Sequence, residues 1–318
     1  MYVIHENDEW VAPLRAALSG LRIPFVEWFV DEGHVSLDGV PPEGLFYNRM
    51  SASSHTRAHR YSVELSEALL SWLESHDRKV INGSRALHLE VRKFEQYLGL
   101  KEAGIRVPGT LAACGREAII AAARALGETP FILKPNRGGK GLGVELFDSL
   151  ADLERRLPDE PVSLDGIALV QQYVRPADGT ITRMEFIGGK FYYAVRVDAS
   201  DGFELCPADE CADEDAFCPG SDAGNDAGTD RPSRFRIDED FNDPELVGSM
   251  EAFLRANQIE IAAAEFAEDV NGHRWVYDLN TNTNYNRQAE FDSGGSRLGM
   301  QRVAEYLGEL LSGQGAFN

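Results

Sequence analysis

Glu265, Asp278 and Asn280 are the residues whose types and spacing point most directly to chemistry. Asn271 and Gly272 stand between two alternating apolar runs, and this pair favours a two-residue hairpin turn because both positions tolerate positive φ. With those two residues as the turn, Glu265 faces Asp278, and opposed side chains share a face with Cβ atoms about 5 Å apart. Asn280 lies on the same face about 6.6 Å further along. Two opposed carboxylates repel, and a cation between them removes that cost. Oxygen ligands without His or Cys select Mg²⁺ or Mn²⁺ over zinc. The same spacing also suits a solvent-facing polar side whose acids pair with Arg or Lys elsewhere.

A second group is the run FILKPNRGGKGLGV from Phe131 to Val144. It reads as a buried strand, a glycine-rich loop and a further strand. Gly138, Gly139, Gly141 and Gly143 expose backbone N–H groups suited to phosphate oxygens, and Lys134, Arg137 and Lys140 add positive charge. It is not a Walker A loop, because Gly141 follows Lys140 where Ser or Thr is required. Nor is it a dinucleotide fingerprint, since Val144 replaces the third glycine and a strand follows. A plain hairpin tip is the alternative.

The third group is RMSASSHTRAHR, residues 49–60, a basic island in an acidic chain. Arg49, Ser51, Ser53, His55 and Arg57 suit a substrate carboxylate, and focusing of the field would draw anions there. A basic helix start paired with surface acids is the competing reading. Asn282 and Asn284, with Asn286, suit an amino-acid-like group, or else turns. The sequence offers no convincing Ser-His-Asp or Cys-His nucleophile.

The chain of 318 residues carries 31 Lys+Arg against 52 Asp+Glu, a net charge of −21. That balance argues against a duplex nucleic acid partner, which needs a basic footprint. Apolar stretches such as residues 118–123 fall short of the roughly 20 needed to cross a bilayer, so no membrane partner is expected. Glu6, Asp8 and Glu9 are unlike a signal peptide, and the expected location is cytoplasmic. Residues 198–230 hold eleven acids and no base, which reads as a solvated, mobile loop or a flap over a site. Cys206, Cys211 and Cys218 lie within it, as reduced thiols or, less simply, a structural metal site.

These groups need elements to position them. Alternating strands and helices over residues 1–92 suggest a small α/β layer on a parallel sheet. One helix is expected from about Ala86 to Ala103, closed by Gly104. Strands then dominate, with a primed hairpin turn at Gly188 and Gly189. A helix over 244–256, the hairpin within 258–280 and a helix over 298–311 complete the chain.

The glycine-rich loop, the strands after it and the oxygen-ligand hairpin, in that order, resemble the ATP-grasp superfamily. The nearest branch is the glutathione-synthetase and ribosomal-protein glutamate-ligase group. The resemblance spans about residues 45–286. It implies an ATP-grasp fold of α/β (α+β) class: an N-terminal α/β domain (1–92), a central lid subdomain (93–173) and a C-terminal subdomain (174–318) that clasp ATP. In VRKFEQ, residues 91–96, Lys93 matches a lysine reaching the ATP phosphates from a helix start, and Lys134 matches a second. Residues 138–143 match the loop over the phosphates, and Gln171, Gln172, Tyr173 and Val174 the hinge that binds adenine. Arg183 matches an arginine facing the transferred phosphoryl group, and Arg196 a second basic position. Glu265, Asp278 and Asn280 fall on the Mg²⁺ ligands, and Arg49 on a substrate-side arginine.

The chain departs from that branch in four places. Arg92 replaces an acid before Lys93, and Ile181 an acid before Arg183. The acidic run 198–230 replaces a short basic one, and TNTNYN follows Asn280. The implied activity is ligation of a carboxylate to an amine through an acyl phosphate, with ATP and Mg²⁺ (or Mn²⁺) and small amino-acid-like substrates. Ester formation, ring closure, modification of a peptide or protein tail, and a non-catalytic nucleotide-binding role remain alternatives. A homodimer is compatible with the sequence.

Overall fold

The structure is a computed structural model that describes residues 1–139, 141–199 and 234–313. Three sheets organise them.

The first is parallel, in the order β2-β1-β3-β4: β1 (Tyr2–His5), β2 (Val26–Phe29), β3 (Leu45–Asn48) and β4 (Lys79–Ile81). A parallel sheet needs both faces covered. Val11, Leu14 and Leu18 of α1 (Asp8–Gly20) pack with Val3 and Tyr47, and Leu69, Leu70 and Leu73 of α2 (Ser62–Ser75) with Ile4 and Phe46. Asn7, not Asp8, caps α1, its Oδ1 accepting the Trp10 N–H at 3.0 Å. Glu6 and Arg49 leave the carboxyl ends of β1 and β3, the two strands between which the order reverses, where open α/β sheets form their crevice.

The single helix expected from Ala86 is two: α3 (Ser84–Val91) and α4 (Lys93–Glu102), broken at Arg92 with φ −131° and ψ 78°. The first N–H groups of a helix have no partner inside it. Here Asn136 supplies them, its carbonyl accepting from Lys93 N at 3.2 Å and its Oδ1 from Phe94 N at 2.9 Å. A partner 42 residues downstream in sequence thus sets the break.

The second sheet is antiparallel, order β5-β8-β6-β7: β5 (Thr110–Ala113), β6 (Phe131–Pro135), β7 (Glu145–Phe147) and β8 (Ala168–Gln172). Beyond the strands expected to dominate here, α5 (Arg116–Leu126) and α6 (Leu150–Arg156) cover the sheet. The buried stripe of α5 is Ile119, Ala122 and Ala123, so its amphipathicity rests largely on alanine.

The third sheet, order β11-β10-β9-β12-β13, is also antiparallel: β9 (Thr180–Ile187), β10 (Lys190–Asp198), β11 (Phe235–Asp238), β12 (Ile261–Glu268) and β13 (Arg274–Asn280). Gly188 and Gly189 both take positive φ, 65° and 67°, as a primed turn demands. Met184, Phe186 and Phe266 pack on Met250, Phe253 and Leu254 of α7 (Pro244–Ala256). Ile187, Val195 and Ile261 belong to a separate cluster with Val303 and Leu307 of the last helix; after the short α8 (Arg287–Asp292) this is α9 (Gly299–Leu311). Cys206, Cys211, Cys218 and most of the acidic run lie outside the described residues. Among the described residues, no helix is long and apolar enough to cross a membrane.

Glu265 pairs with Asp278 and Ala263 with Asn280, but by a different route from a two-residue turn. Asp269 N–H donates to His273 O at 2.9 Å and Gly272 N–H to Asp269 O at 2.9 Å, so the loop has three residues and only Gly272 of the expected pair has positive φ (76°). Asp269 Oδ1 accepts from Asn271 N (2.9 Å) and His273 N (3.0 Å), and this side-chain-to-backbone bonding favours the longer turn. The pairing next to the turn is therefore displaced by one residue, and a β-bulge at Tyr277 moves it back before Asp278.

Candidate active site

A cavity of about 580 Å³ lies where the three sheets meet. β9, β12 and β13 present Arg183, Glu265, Asp278 and Asn280 to it. β6 presents Ile132 and Lys134, and the glycine-rich loop Gly138, Gly139 and Gly141. Gln171, Gln172, Tyr173 and Val174 form another wall, and Trp10, Ser51 and Ser53 approach from the first sheet. Lys140 lies outside the described residues. Gly143, at φ 74°, ends the loop against Pro135.

The two register-paired carboxylates each hold a cation. Lys93 Nζ donates to Asp278 Oδ1, and Arg183 Nη1 to Glu265 Oε1 at 2.6 Å. Burial alone would raise the Asp278 carboxyl, but the Lys93 and Lys134 ammoniums outweigh it and hold it below the ordinary range. For Glu265, burial and then repulsion from Asp278 win over Arg183, and its carboxyl is pushed up. Lys93 is raised: its burial is outweighed by Asp278 and Glu90. Among the described residues Lys134 has no carboxylate of its own, donating to the Tyr97 hydroxyl and, at 3.4 Å, to Tyr277 O. Burial pushes it down to about 7.

Helix α4 is bonded along β13. Gln96 donates to Leu279 O (2.7 Å) and accepts from Leu279 N (3.0 Å), and Tyr97 donates to Tyr277 O (2.5 Å). The Tyr277 bulge turns that carbonyl inward for Tyr97 and Lys134. On the wall of β8, Gln171 donates to Thr110 Oγ1 (2.8 Å) and Gln172 Oε1 accepts from Gly109 N (3.2 Å).

The basic island divides. Ser51 and Ser53 line the cavity, their hydroxyls 2.9 Å apart. Arg57 binds Glu6 (2.7 Å) and Ser53 Oγ (3.1 Å) and lies over the Trp10 ring. His55 does not line the cavity; burial pushes its imidazole down, and Arg137 adds to that. Arg49 is buried behind Asn282 and Asn284, which do line it. Arg196 is elsewhere. Val195 is the residue opposite Arg183, so Arg196 projects from the other face, where Asp178 and Thr180 hold its guanidinium.

Several residues at the site were not anticipated. Glu90, one turn before Lys93 in sequence, accepts from Thr281 N (2.6 Å) and adds a negative charge near Lys93. Glu185 grips Arg183 Nε (2.6 Å), and Thr283 accepts from the same guanidinium. Asn82 donates to Ile261 O (2.6 Å) and Thr281 O (2.8 Å), tying the first sheet to the third. An acid two residues from Arg183 on the same strand face was a readable signal; the Asn82 contacts, 179 and 199 residues away in sequence, were not.

No family model and no curated protein matches the chain. Solved structures do. The chain is similar to a RimK-domain ATP-grasp protein from Sphaerobacter thermophilus, with 18% identity, 96% of this chain and 99% of that chain covered, and a TM-score of 0.60. It is similar to the ATP-grasp ligase PsnB complexed with a minimal precursor, at 17% identity, 96% and 97% coverage and TM-score 0.64. It is similar too to the D-cycloserine synthetase DcsG, at 16% identity, 98% and 99% coverage and TM-score 0.64. With its three sheets around one cavity, the chain has the ATP-grasp fold.

Proposed function

We propose that the chain is an ATP-dependent ligase that phosphorylates a substrate carboxylate and joins the activated acyl group to an amine, releasing ADP and phosphate. The observation that carries this reading is the pair Glu265 and Asp278, register-opposed in a cavity that also holds Lys93, Lys134, Arg183 and the glycine-rich loop. The half-buried, all-oxygen set Glu265, Asp278 and Asn280 fits Mg²⁺ or Mn²⁺, which when bound would neutralise phosphate charge. Lys93 and Lys134 would bind phosphate oxygens, together with the amides of Gly138, Gly139, Gly141 and Gly143 and the Lys140 side chain. Gln171, Gln172, Tyr173 and Val174 would hold the base. Arg183, fixed by Glu185 and Thr283, would face the phosphoryl group as it passes to the carboxylate, stabilising its spreading charge. Arg196 has no part in this arrangement.

PsnB has also been solved with a precursor peptide, which supports a second reading in which the carboxylate belongs to a peptide. D-cycloserine synthetase favours the first, small-molecule reading by its name.

The test is ADP release with Mg²⁺ and hydroxylamine across free amino acids, small dicarboxylates and acid-containing peptides. Hydroxylamine traps an acyl phosphate as a hydroxamate, so one productive acid identifies both the chemistry and the substrate class. Asp278→Asn is expected to lower turnover at least about 100-fold, the scale of losing one charge-stabilising group, with the fold intact by circular dichroism. Near-wild-type turnover in that variant would overturn the metal assignment, and an absence of ATP binding in the wild type would overturn the whole reading.

A further inference from the structure

Arg49 is 3% exposed, and its guanidinium donates only to neutral oxygens: Trp10 O, Asn282 Oδ1 and Thr283 O at 3.1 Å each, and Asn284 Oδ1 at 2.7 Å. No acid pairs with it among the described residues. A buried cation without a counter-ion is costly. Arg49 is also placed to orient its neighbours. Arginine has no acceptor, so the Asn284 atom facing it is Oδ1, and the Asn284 Nδ2 donors point away from it. Asn284 lines the cavity, and its Nδ2 has no partner among the described residues.

A second arginine backs a second donor. Arg57 donates to Ser53 Oγ at 3.1 Å, and Ser51 Oγ accepts from Ser53 N at 3.2 Å. The two hydroxyls share one hydrogen bond, so whichever donates, one hydroxyl proton is left for the cavity. Each donor stands beside a group proposed above to handle phosphate. A Cβ on Gly139 of the phosphate loop would sit 3.5 Å from Ser53 Cβ, and Thr283, bonded to Arg183, precedes Asn284.

We propose that Asn284 and the Ser51–Ser53 hydroxyl pair bind a carboxylate oxygen of the acid substrate, with Arg49 and Arg57 as positioning residues behind them. This inference rests on the ligase reading above and deepens it. The substrate's negative charge then answers the buried Arg49 charge across one amide. The carboxylate is recognised by neutral donors, so it can move on toward a phosphoryl group without first breaking an ion pair.

The test uses protein labelled with ¹⁵N-asparagine, saturated with Mg²⁺ and a non-hydrolysable ATP analogue, with acetate as the probe. The Asn284 side-chain amide resonance is assigned by its loss in Asn284→Asp. Acetate is expected to shift that resonance saturably while chloride does not. In Arg49→Met the apparent acetate affinity should fall at least about tenfold, and Arg49→Lys should restore part of it. Analogue affinity, measured by calorimetry, should stay within threefold in both. An acetate-dependent shift no larger than that given by equal chloride would overturn the proposal, as would an equal acetate shift in Arg49→Met. A wild type that fails to bind the analogue fails the ligase reading instead, a separately visible result. If Arg49→Met does not fold, Asn284→Ala against Asn284→Asp decides: acetate binding, read by calorimetry, must fall in both and fall further in the aspartate variant.

Discussion

Lys134 sits in the cavity with its ammonium against the Tyr97 ring and hydroxyl, 7% exposed and without a carboxylate partner. Its depressed pKa of about 7 gives nucleotide binding a direction with pH. A phosphate oxygen favours the charged form, so binding raises the pKa, and affinity should fall as pH rises through 7, by up to about tenfold per unit above it. Binding at pH 8 should take up close to one proton, measurable by calorimetry in buffers of different ionisation heat. Lys134→Arg should flatten the profile, because guanidinium stays charged. An unchanged affinity from pH 7 to 9 in the wild type would contradict it. The effect on stability follows the same linkage. The unfolded chain keeps this proton to about pH 10.4, so Lys134 costs stability, most of all below pH 7, and the cost fades as pH rises toward 10.

At the scale of elements, the break between α3 and α4 brings the two lysines together. Asn136 follows the strand that carries Lys134 and caps the helix that begins at Lys93. Asn136→Ala should cost about 1 kcal/mol in denaturant unfolding and weaken nucleotide binding severalfold. Ser149→Ala, which removes the comparable cap of α6, should cost about as much stability and leave nucleotide binding unchanged. If both variants bind nucleotide alike, the cap does not position Lys93. The break also shows what could be read in advance. The apolar rhythm through Lys93 continues as one helix, and only a residue far along the chain interrupts it. The hairpin turn at Gly188 and Gly189 was legible, since that pair allows little else. Glu265 was matched with Asp278 correctly, but two unread features, the Asp269 turn and the Tyr277 bulge, offset each other. Arg49 was legible as a cation of the basic island, whereas its bonds to residues 282–284 depend on contacts more than 230 positions apart in sequence.

Across the molecule, Asn82 and Arg49 fasten the first sheet to the third, and Gln96 and Tyr97 fasten α4 to β13. The glycine-rich loop meets the first sheet's side through Arg137, which donates to Glu64 at 2.7 Å on the first turn of α2. Glu64→Gln should leave global stability within about 0.5 kcal/mol, because the Glu64 side chain is half exposed and Gln can still accept from Arg137. It should also speed tryptic cleavage after Arg137 severalfold. Equal cleavage rates would show that the pair does not restrain the loop.

Asn136 acts among these fastenings as a rivet: its carbonyl and its Oδ1 hold the first two amides of α4, and its Nδ2 donates to Asp165 at 2.7 Å. Lys93 starts the helix it holds and Lys134 stands two residues before it, so a displacement of this one asparagine would disturb both ammoniums at once.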